Sequence, residues 1–293
     1  SPYLPAPPDK TGTFTDNWMT IRGPPAPTFA RGLPIAFRKR SIADPAVQTM
    51  TLRYRALQCL ALLFVAFALS QLWYLGQVLR LQHQNPEASA YMQRAKAQGQ
   101  VQQYWRDYDQ ISDYLKRAVL ISEDAQFTNH SGFDWQGIRY ALQRNMEAGK
   151  PVAGGSTITQ QLAKNLYLSG ARSYTRKVQE AMIALMLEIG LSKRRILELY
   201  LNVAQWGHQI YGAEAAARHY FKVSAAELSI VQASQLAAML PRPNYYDFKG
   251  PTDYVQQRAN WIQEQMALVR IPDPGNLPLP SPSEPDPLQG NTQ

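Results

Sequence analysis

The sequence predicts a mainly α-helical protein preceded by one N-terminal transmembrane helix, and three observations carry that expectation. The stretch ALQCLALLFVAFALSQLWYLGQVL, Ala56 to Leu79, holds no charged residue between Arg55 and Arg80. Downstream, Ser, Thr and Asp residues stand at helix-start spacing before apolar residues that recur every three or four positions. Alternating strand patterns are scarce. The chain of 293 residues has room for one domain of ordinary or large size with appendages. Its single cysteine, Cys59, forms no intrachain disulfide and says nothing about the compartment.

Taken in order, residues 1–55 read as a cytoplasmic, proline-rich, disordered segment with a basic flank: Pro24, Pro25 and Pro27 lie close together and no apolar period is sustained. Residues 56–80 read as the transmembrane helix. At about 1.5 Å per residue the uncharged run is roughly 36 Å long, enough for a hydrocarbon core of about 30 Å. A buried core helix is the alternative, but such helices rarely stay uncharged for this length. Arg38, Lys39, Arg40, Arg53 and Arg55 precede the span and only Arg80 follows closely, with Arg94 and Lys96 further on, so the N-terminus faces the cytoplasm. The length of the run, the residues before it and the lack of a small-residue cleavage pattern argue against a signal peptide. The net charge of +8 raises nucleic acid as a partner, but an extracytoplasmic domain is on the wrong side for it. An anionic lipid surface or lipid-linked substrate accounts for the charge better.

A helical domain is expected over 103–268. One helix is read from Tyr104 through Tyr108, Ile111, Leu115, Ala118 and Val119 to Ser122, with Glu123 at the edge of this apolar stripe and Asp124 on the far side, toward Asp113 and Arg117. Asp134 opens a second helix, with Ile138, Ala141, Leu142 and Met146 on one face and Gly149 closing it. Thr157 and Gln160 have capping-box spacing, as do Ser224 and Glu227. Ser192 opens a helix that Gly207 closes, and AMIALMLEIGL, apolar nearly all round, reads as the buried central helix. Residues 271–293 read as a second disordered, proline-rich tail.

Chemistry concentrates in three segments. A carboxylate at an apolar edge, as Glu123 is placed, has its proton affinity raised by desolvation, as a general base requires; a solvated helix end is the plain alternative. His130, in a turn suited by Asn129, Ser131 and Gly132, can move a proton or hold the loop, and without a second histidine or cysteine at ligand spacing a metal site is not indicated. The segment AGGSTITQQLAKN opens a helix with exposed N–H groups able to accept an anion, but Lys164 lies too far downstream for a Walker P-loop. Arg172, Arg176 and Lys177 crowd a helix start, the wrong end for cations, so a bound diphosphate would relieve the conflict. Glu180 stands one turn past Arg176, as an ion-pair partner or as a carboxylate that orients cations and substrate hydroxyls.

The stretches SEDAQFTNHSGFD, GGSTITQQLAKN, RSYTRKVQEAMIALMLE, RRILELYLNVAQWG and YGAEAAARHYF together resemble the peptidoglycan glycosyltransferases of family 51, and most closely their monofunctional biosynthetic transglycosylases. Order and spacing agree over about 165 residues, which is far more specific than any one motif. The resemblance implies a lysozyme-like helical fold with a small membrane-apposed subdomain, without the transpeptidase half of bifunctional penicillin-binding proteins. It implies polymerisation of lipid II into β-1,4-linked glycan strands, with inversion at the anomeric carbon and release of undecaprenyl diphosphate. By similarity Glu123 is the base and Glu180 the second catalytic glutamate. Lys164 and Arg172, with Arg176 and Lys177, hold the departing diphosphate, and Asp124, Phe127, His130, Ser156, Gln160 and Gln161 shape the cleft.

A divalent metal such as Mg can bridge the diphosphate in such enzymes, but no dedicated protein cage for one is visible, and the cofactor expected is none. The resemblance also implies lipid II, the growing glycan chain and the cytoplasmic membrane as partners, with divisome or elongation proteins beyond them. The pattern does not cover the N-terminal 45 residues, and Gln205 stands where some relatives have an acid. Two rival readings remain at this point. A lytic transglycosylase or lysozyme-like enzyme would share the fold but has no use for a diphosphate clamp. A non-enzymatic cell-wall scaffold would use the basic surface alone.

Overall fold

The computed structural model describes residues 45–150, 154–168, 170 and 173–272, with side chains from Arg53 onward. The expected N-terminal segment before Pro45, the tail beyond Pro272, and Arg172 lie outside these residues. The chain divides into two units, residues 1–57 and 58–293, and all packing described here belongs to the second.

Helix α1, Pro45–Arg80, starts eleven residues before the expected span. Within it Arg53–Arg80 is long and apolar enough to cross a membrane, and its most apolar 18-residue window is not covered by the rest of the molecule. Its last turns do dock, since Val78 is fully buried and Leu81 nearly so. Gln71 and Gln179 exchange two amide hydrogen bonds of 3.1 Å, and Gln82 Nε2 donates to Gly190 O at 2.7 Å.

Next come α2 (Ala90–Lys96), capped by Ser89, and β1 (Gln102–Gln103). The helix expected from Tyr104 begins nine residues later. Residues 104–107 are extended, Tyr108–Gln110 form one 3-10 turn, and α3 runs Asp113–Glu123. Tyr108 and Ile111 are buried without belonging to the helix, because the turn folds them onto the same core.

Helix α3 takes the central place expected of AMIALMLEIGL. It packs on α9 (Ile230–Met239) and α11 (Asp253–Gln265), and from Leu115 to Ile121 every residue is buried. Its charges misled the sequence reading, since each is satisfied internally. Lys116 pairs with Asp113 at 2.8 Å and lies over the Tyr108 ring, and Arg117 Nη1 donates to Val269 O at 2.5 Å.

α4 (Trp135–Ala148) starts on Asp134, whose Oδ1 accepts the Gly137 N–H, and ends at Gly149, φ +62°, as expected. Its apolar face is not covered, however: Trp135, Tyr140, Leu142 and Met146 are exposed and only Ala141 is buried. α5 (Ile158–Tyr167) has the predicted capping box of Thr157 and Gln160. α6 (Tyr174–Gly190) buries one face, with Glu180, Ile183, Ala184 and Leu187, and leaves Val178, Leu185 and Ile189 exposed. It packs against α5, which in turn packs against α7 (Lys193–Val203).

Ser192 caps α7 as expected, but the helix ends at Val203, and Gly207 belongs to β2 (Gln205–Gly207). A Cβ at Gly207 would lie 2.5 Å from the Tyr220 hydroxyl and 2.9 Å from Asp247, so close approach explains this glycine. β2 pairs antiparallel with β3 (Ile210–Tyr211), and β3 pairs parallel with β1. Strands of two or three residues are too short for a period to be read. α8 (Ala213–Phe221) follows. The capping box of α9 is Ser229 with Gln232, five residues after the expected one; Ser224 and Glu227 close a turn instead. α10 (Pro243–Lys249) precedes α11.

Candidate active site

The last residue of α3 is Glu123, and the chain leaves the helix at Asp124 with φ −166° and ψ 72°. A helical wheel no longer applies there, so Asp124 does not face Asp113 and Arg117. It turns inward and is buried, with Oδ2 accepting the Ile158 N–H at 2.9 Å and Oδ1 held 2.9 Å from His130 Nε2. Because His130 Nδ1 accepts the Gly132 N–H at 3.2 Å, the ring proton sits on Nε2 and is donated to Asp124. Thr157 Oγ1 donates to Gly132 O at 2.7 Å. Asp124 and His130 thus pin the start of α5 against the end of α3, using an otherwise orphaned N-terminal N–H of α5.

That junction sets Gln161 beside Glu123. Gln161 Nε2 donates to Glu123 Oε2 at 2.8 Å, and Gln161 Oε1 accepts the hydroxyl of Tyr200, a buried residue of α7, at 3.1 Å. The accepted hydroxyl fixes which end of the amide faces Glu123. Burial raises the Glu123 pKa, while hydrogen bonds from Gln161 and Ser122 and the charges of Arg258 and Lys164 act against it. Neither Tyr200 nor Arg258 was found from sequence. One is a buried aromatic in an apolar helix, and the other comes from α11, more than a hundred residues away, so no spacing signal marks either.

Across the cleft, α6 begins at its cap Ser173 and carries Arg176 and Lys177 in its first turns. Both pair with the buried Glu180: Arg176 Nη1 lies 2.8 Å from Oε2, and Lys177 Nζ contacts Oε1 and donates to Ser156 Oγ at 3.3 Å. Glu180 therefore relieves part of the conflict between these cations and the helix dipole. Arg176 Nε is buried without a hydrogen-bond partner among the described residues. Lys164 makes no hydrogen bond or ion pair among the described residues. Burial lowers its pKa, Lys177 and Arg176 adding to this, while Glu180 and Glu123 oppose it.

Two hollows adjoin here. One, of about 280 Å³, is lined by Glu123, Asp134, Tyr140 and Gly154–Thr157; the other, of about 270 Å³, by Ile138, Leu142, Gln160 and Lys177. They share Gly155 and Ser156. A Cβ on Gly155 would stand 3.1 Å from the Ile138 backbone, so the glycine permits this approach of α4. Ser156 is exposed in the cleft, Gln160 is mostly spent on capping Thr157, and Phe127 is fully buried beneath Lys193, supporting the wall from behind.

The donor set does not resemble a cage for a divalent ion. Among the described residues no group of three or more His, Cys, Asp or Glu converges, and Glu180 already carries two cations. What the arrangement offers is a largely desolvated carboxylate with one cation, Lys164, in its electrostatic neighbourhood that is uncommitted among the described residues, a combination suited to accepting a proton and stabilising an anion.

Residues 89–267 match the family model described as Transglycosylase. The chain is 82% identical over 245 residues to the biosynthetic peptidoglycan transglycosylase of Alcanivorax borkumensis, covering 83% of this chain and 100% of that protein. It is 48% identical over 220 residues to the protein of that name from Chromobacterium violaceum, covering 73% and 96%. The Bordetella pertussis protein of the same name is 48% identical over 228 residues, covering 74% and 92%. Agreement of this extent, spanning the elements that build the cleft, means that the chain belongs to the transglycosylase family and is a peptidoglycan glycosyltransferase.

Proposed function

We propose that the protein polymerises lipid II, transferring the growing glycan from its undecaprenyl diphosphate to the 4-hydroxyl of the next disaccharide. Glu123 takes the hydroxyl proton as the oxygen attacks the anomeric carbon. The bond from that carbon to the diphosphate breaks with its electron pair, so the α-linkage becomes a β-1,4 linkage and the proton ends on Glu123. Lys164, Arg176 and Lys177, joined by Arg172, neutralise the departing diphosphate, which needs charge stabilisation more than protonation. Glu180 acts as a positioning residue that holds two of these cations in register.

The observation that carries this reading is a half-buried carboxylate, held by Gln161, within electrostatic reach of a cation, Lys164, that has no partner among the described residues. Glycan cleavage is less well served, because it needs an acid for a poor leaving group. The neighbouring carboxylates are committed, Asp124 to His130 and α5, and Asp134 to capping α4.

The same reading sets the domain outside the cytoplasmic membrane, with α1 as a single-pass anchor and the N-terminus in the cytoplasm. The exposed apolar faces of α4 and α6 then rest on the bilayer, where a polyprenyl substrate must remain, and the tether raises its local concentration.

Incubating the full chain with lipid II, and separately with finished glycan, tests the proposal. Wild type should give polymer from the first, and Glu123→Gln should lose about 10²- to 10⁴-fold in rate while keeping its melting transition. Polymer retained by Glu123→Gln, or shortened strands from finished glycan, would overturn it.

A further inference from the structure

A hollow of about 690 Å³ lies away from the cleft. It lies where α1 meets the start of the domain, between Trp73, Gln77, Arg80 and Leu81 of the α1 end, the connection 84–88, α2, and Leu166 and Tyr167 at the end of α5. It shares no lining residue with either hollow of the cleft. The cleft residues Gln160 and Gln161 occupy the opposite end of α5, a helix of 10 residues and so roughly 15 Å long.

The chemistry of this groove is graded along α1. Trp73 comes from the apolar run, where it packs edge-on against Tyr74, which packs in turn against Tyr167. Aromatic residues in this order are those that settle at a membrane interface. Arg80 is the first charged residue since Arg55, which marks where the helix leaves hydrocarbon. Arg80 reaches only the neutral amide of Gln84, at 3.2 Å, and no carboxylate pairs with Lys96 among the described residues. Glu87 on the rim is the single acid in the lining. Two cations without counter-ions, standing above an apolar wall at headgroup height, complement a molecule with one anionic group and an aliphatic body.

We propose that this groove binds the phosphate and upper acyl segment of an anionic glycerophospholipid from the outer leaflet. The proposal rests on the reading of α1 as a membrane span, and it is independent of the glycosyl transfer chemistry. A soluble phosphate would use the cations but not the wall of Trp73, Leu166 and Tyr167. The lipid, by contrast, would fill the joint between anchor and domain and fix the height at which the domain sits.

The full chain reconstituted in phosphatidylcholine nanodiscs, with either brominated phosphatidylglycerol or brominated phosphatidylcholine at equal mole fraction, reads occupancy through Trp73 fluorescence, isolated by subtracting the Trp73→Phe variant. Brominated phosphatidylglycerol should quench selectively. The preference should fall roughly fivefold with each of Arg80→Gln and Lys96→Gln, and added inorganic phosphate should leave it unchanged. Equal quenching by the two lipids, or a preference that survives the double substitution, would refute the site. Relief of quenching by inorganic phosphate would show a soluble-anion site, and relief by undecaprenyl phosphate would make the occupant the lipid carrier; either overturns the proposal. Absence of quenching by both lipids would remove the span and the site together.

Discussion

Glu123 has its proton affinity set by opposing neighbours. Burial raises the pKa, and the Gln161 amide is the first of the groups that pull it back down. A base of this kind works only above its own pKa, so the acidic limb of kcat/KM should lie above the ordinary carboxylate range. Gln161→Ala removes a hydrogen bond made to the charged form, raising the pKa further and moving that limb to higher pH. A pH profile of lipid II polymerisation checks this, and a limb that stays in place or moves down would show that Gln161 does not tune the base. The apolar stripe of α3 put Glu123 at its edge but left a solvated helix end open, and only the family resemblance gave the residue its role as base. Its neighbour Asp124 was misread because the wheel was extended one residue past the end of the helix.

At the scale of elements, cap signals were dependable where they stood alone. Asp134, Thr157 and Ser192 each cap the helix expected of them. They failed where two Ser-x-x-Glu/Gln frames competed, as at Ser224 and Ser229, because both satisfy the same local geometry and only the packing of α9 on α3 selects one. Apolar content was a poor guide to burial. The exposed residues of α6 are as apolar as the covered ones, while α3 is central despite four charges. A side-chain contact ties α1 to α6: Gln179, adjacent to Glu180, exchanges both amide hydrogen bonds with Gln71 of α1. Interhelical amide pairs of this kind contribute about 0.6–2 kcal/mol. Thermal unfolding of Gln71→Leu, Gln179→Leu and the double variant in nanodiscs should return a coupling energy of that size; strictly additive losses would mean that the pair does not form.

For the whole molecule, Glu214 is a junction of distant segments. Fully buried at the start of α8, it accepts from Arg106, 2.8 Å away, Arg218, 2.7 Å away, and the Ala225 N–H at 2.8 Å. Burial alone would raise its pKa, but these hydrogen bonds outweigh it and hold the group at about 2. A depressed carboxylate pKa adds stability that is complete above the unfolded value and lost as pH falls through the folded one. Glu214→Ala leaves Arg106 without its partner, but Arg106 and Arg218 are partly exposed and can be hydrated, so the loss near neutral pH should be about 1–3 kcal/mol. Unfolding curves of wild type and variant should stay apart above about pH 5 and converge toward pH 2. A constant gap across that range would assign the loss to packing rather than charge.

Sequence by itself determined the helical class, the uncharged run that becomes α1, the starts of α4, α5 and α7, and the family, since local propensity, caps and motif spacing are properties of neighbouring residues. Tertiary structure alone decided which helix is central and that Asp124 and His130 serve as a pin. It also decided that Tyr200 and Gln161 hold Glu123, and that a groove opens between anchor and domain. Those outcomes depend on contacts between residues tens to more than a hundred positions apart. Burial and electrostatics act through space, and no period in the chain records them.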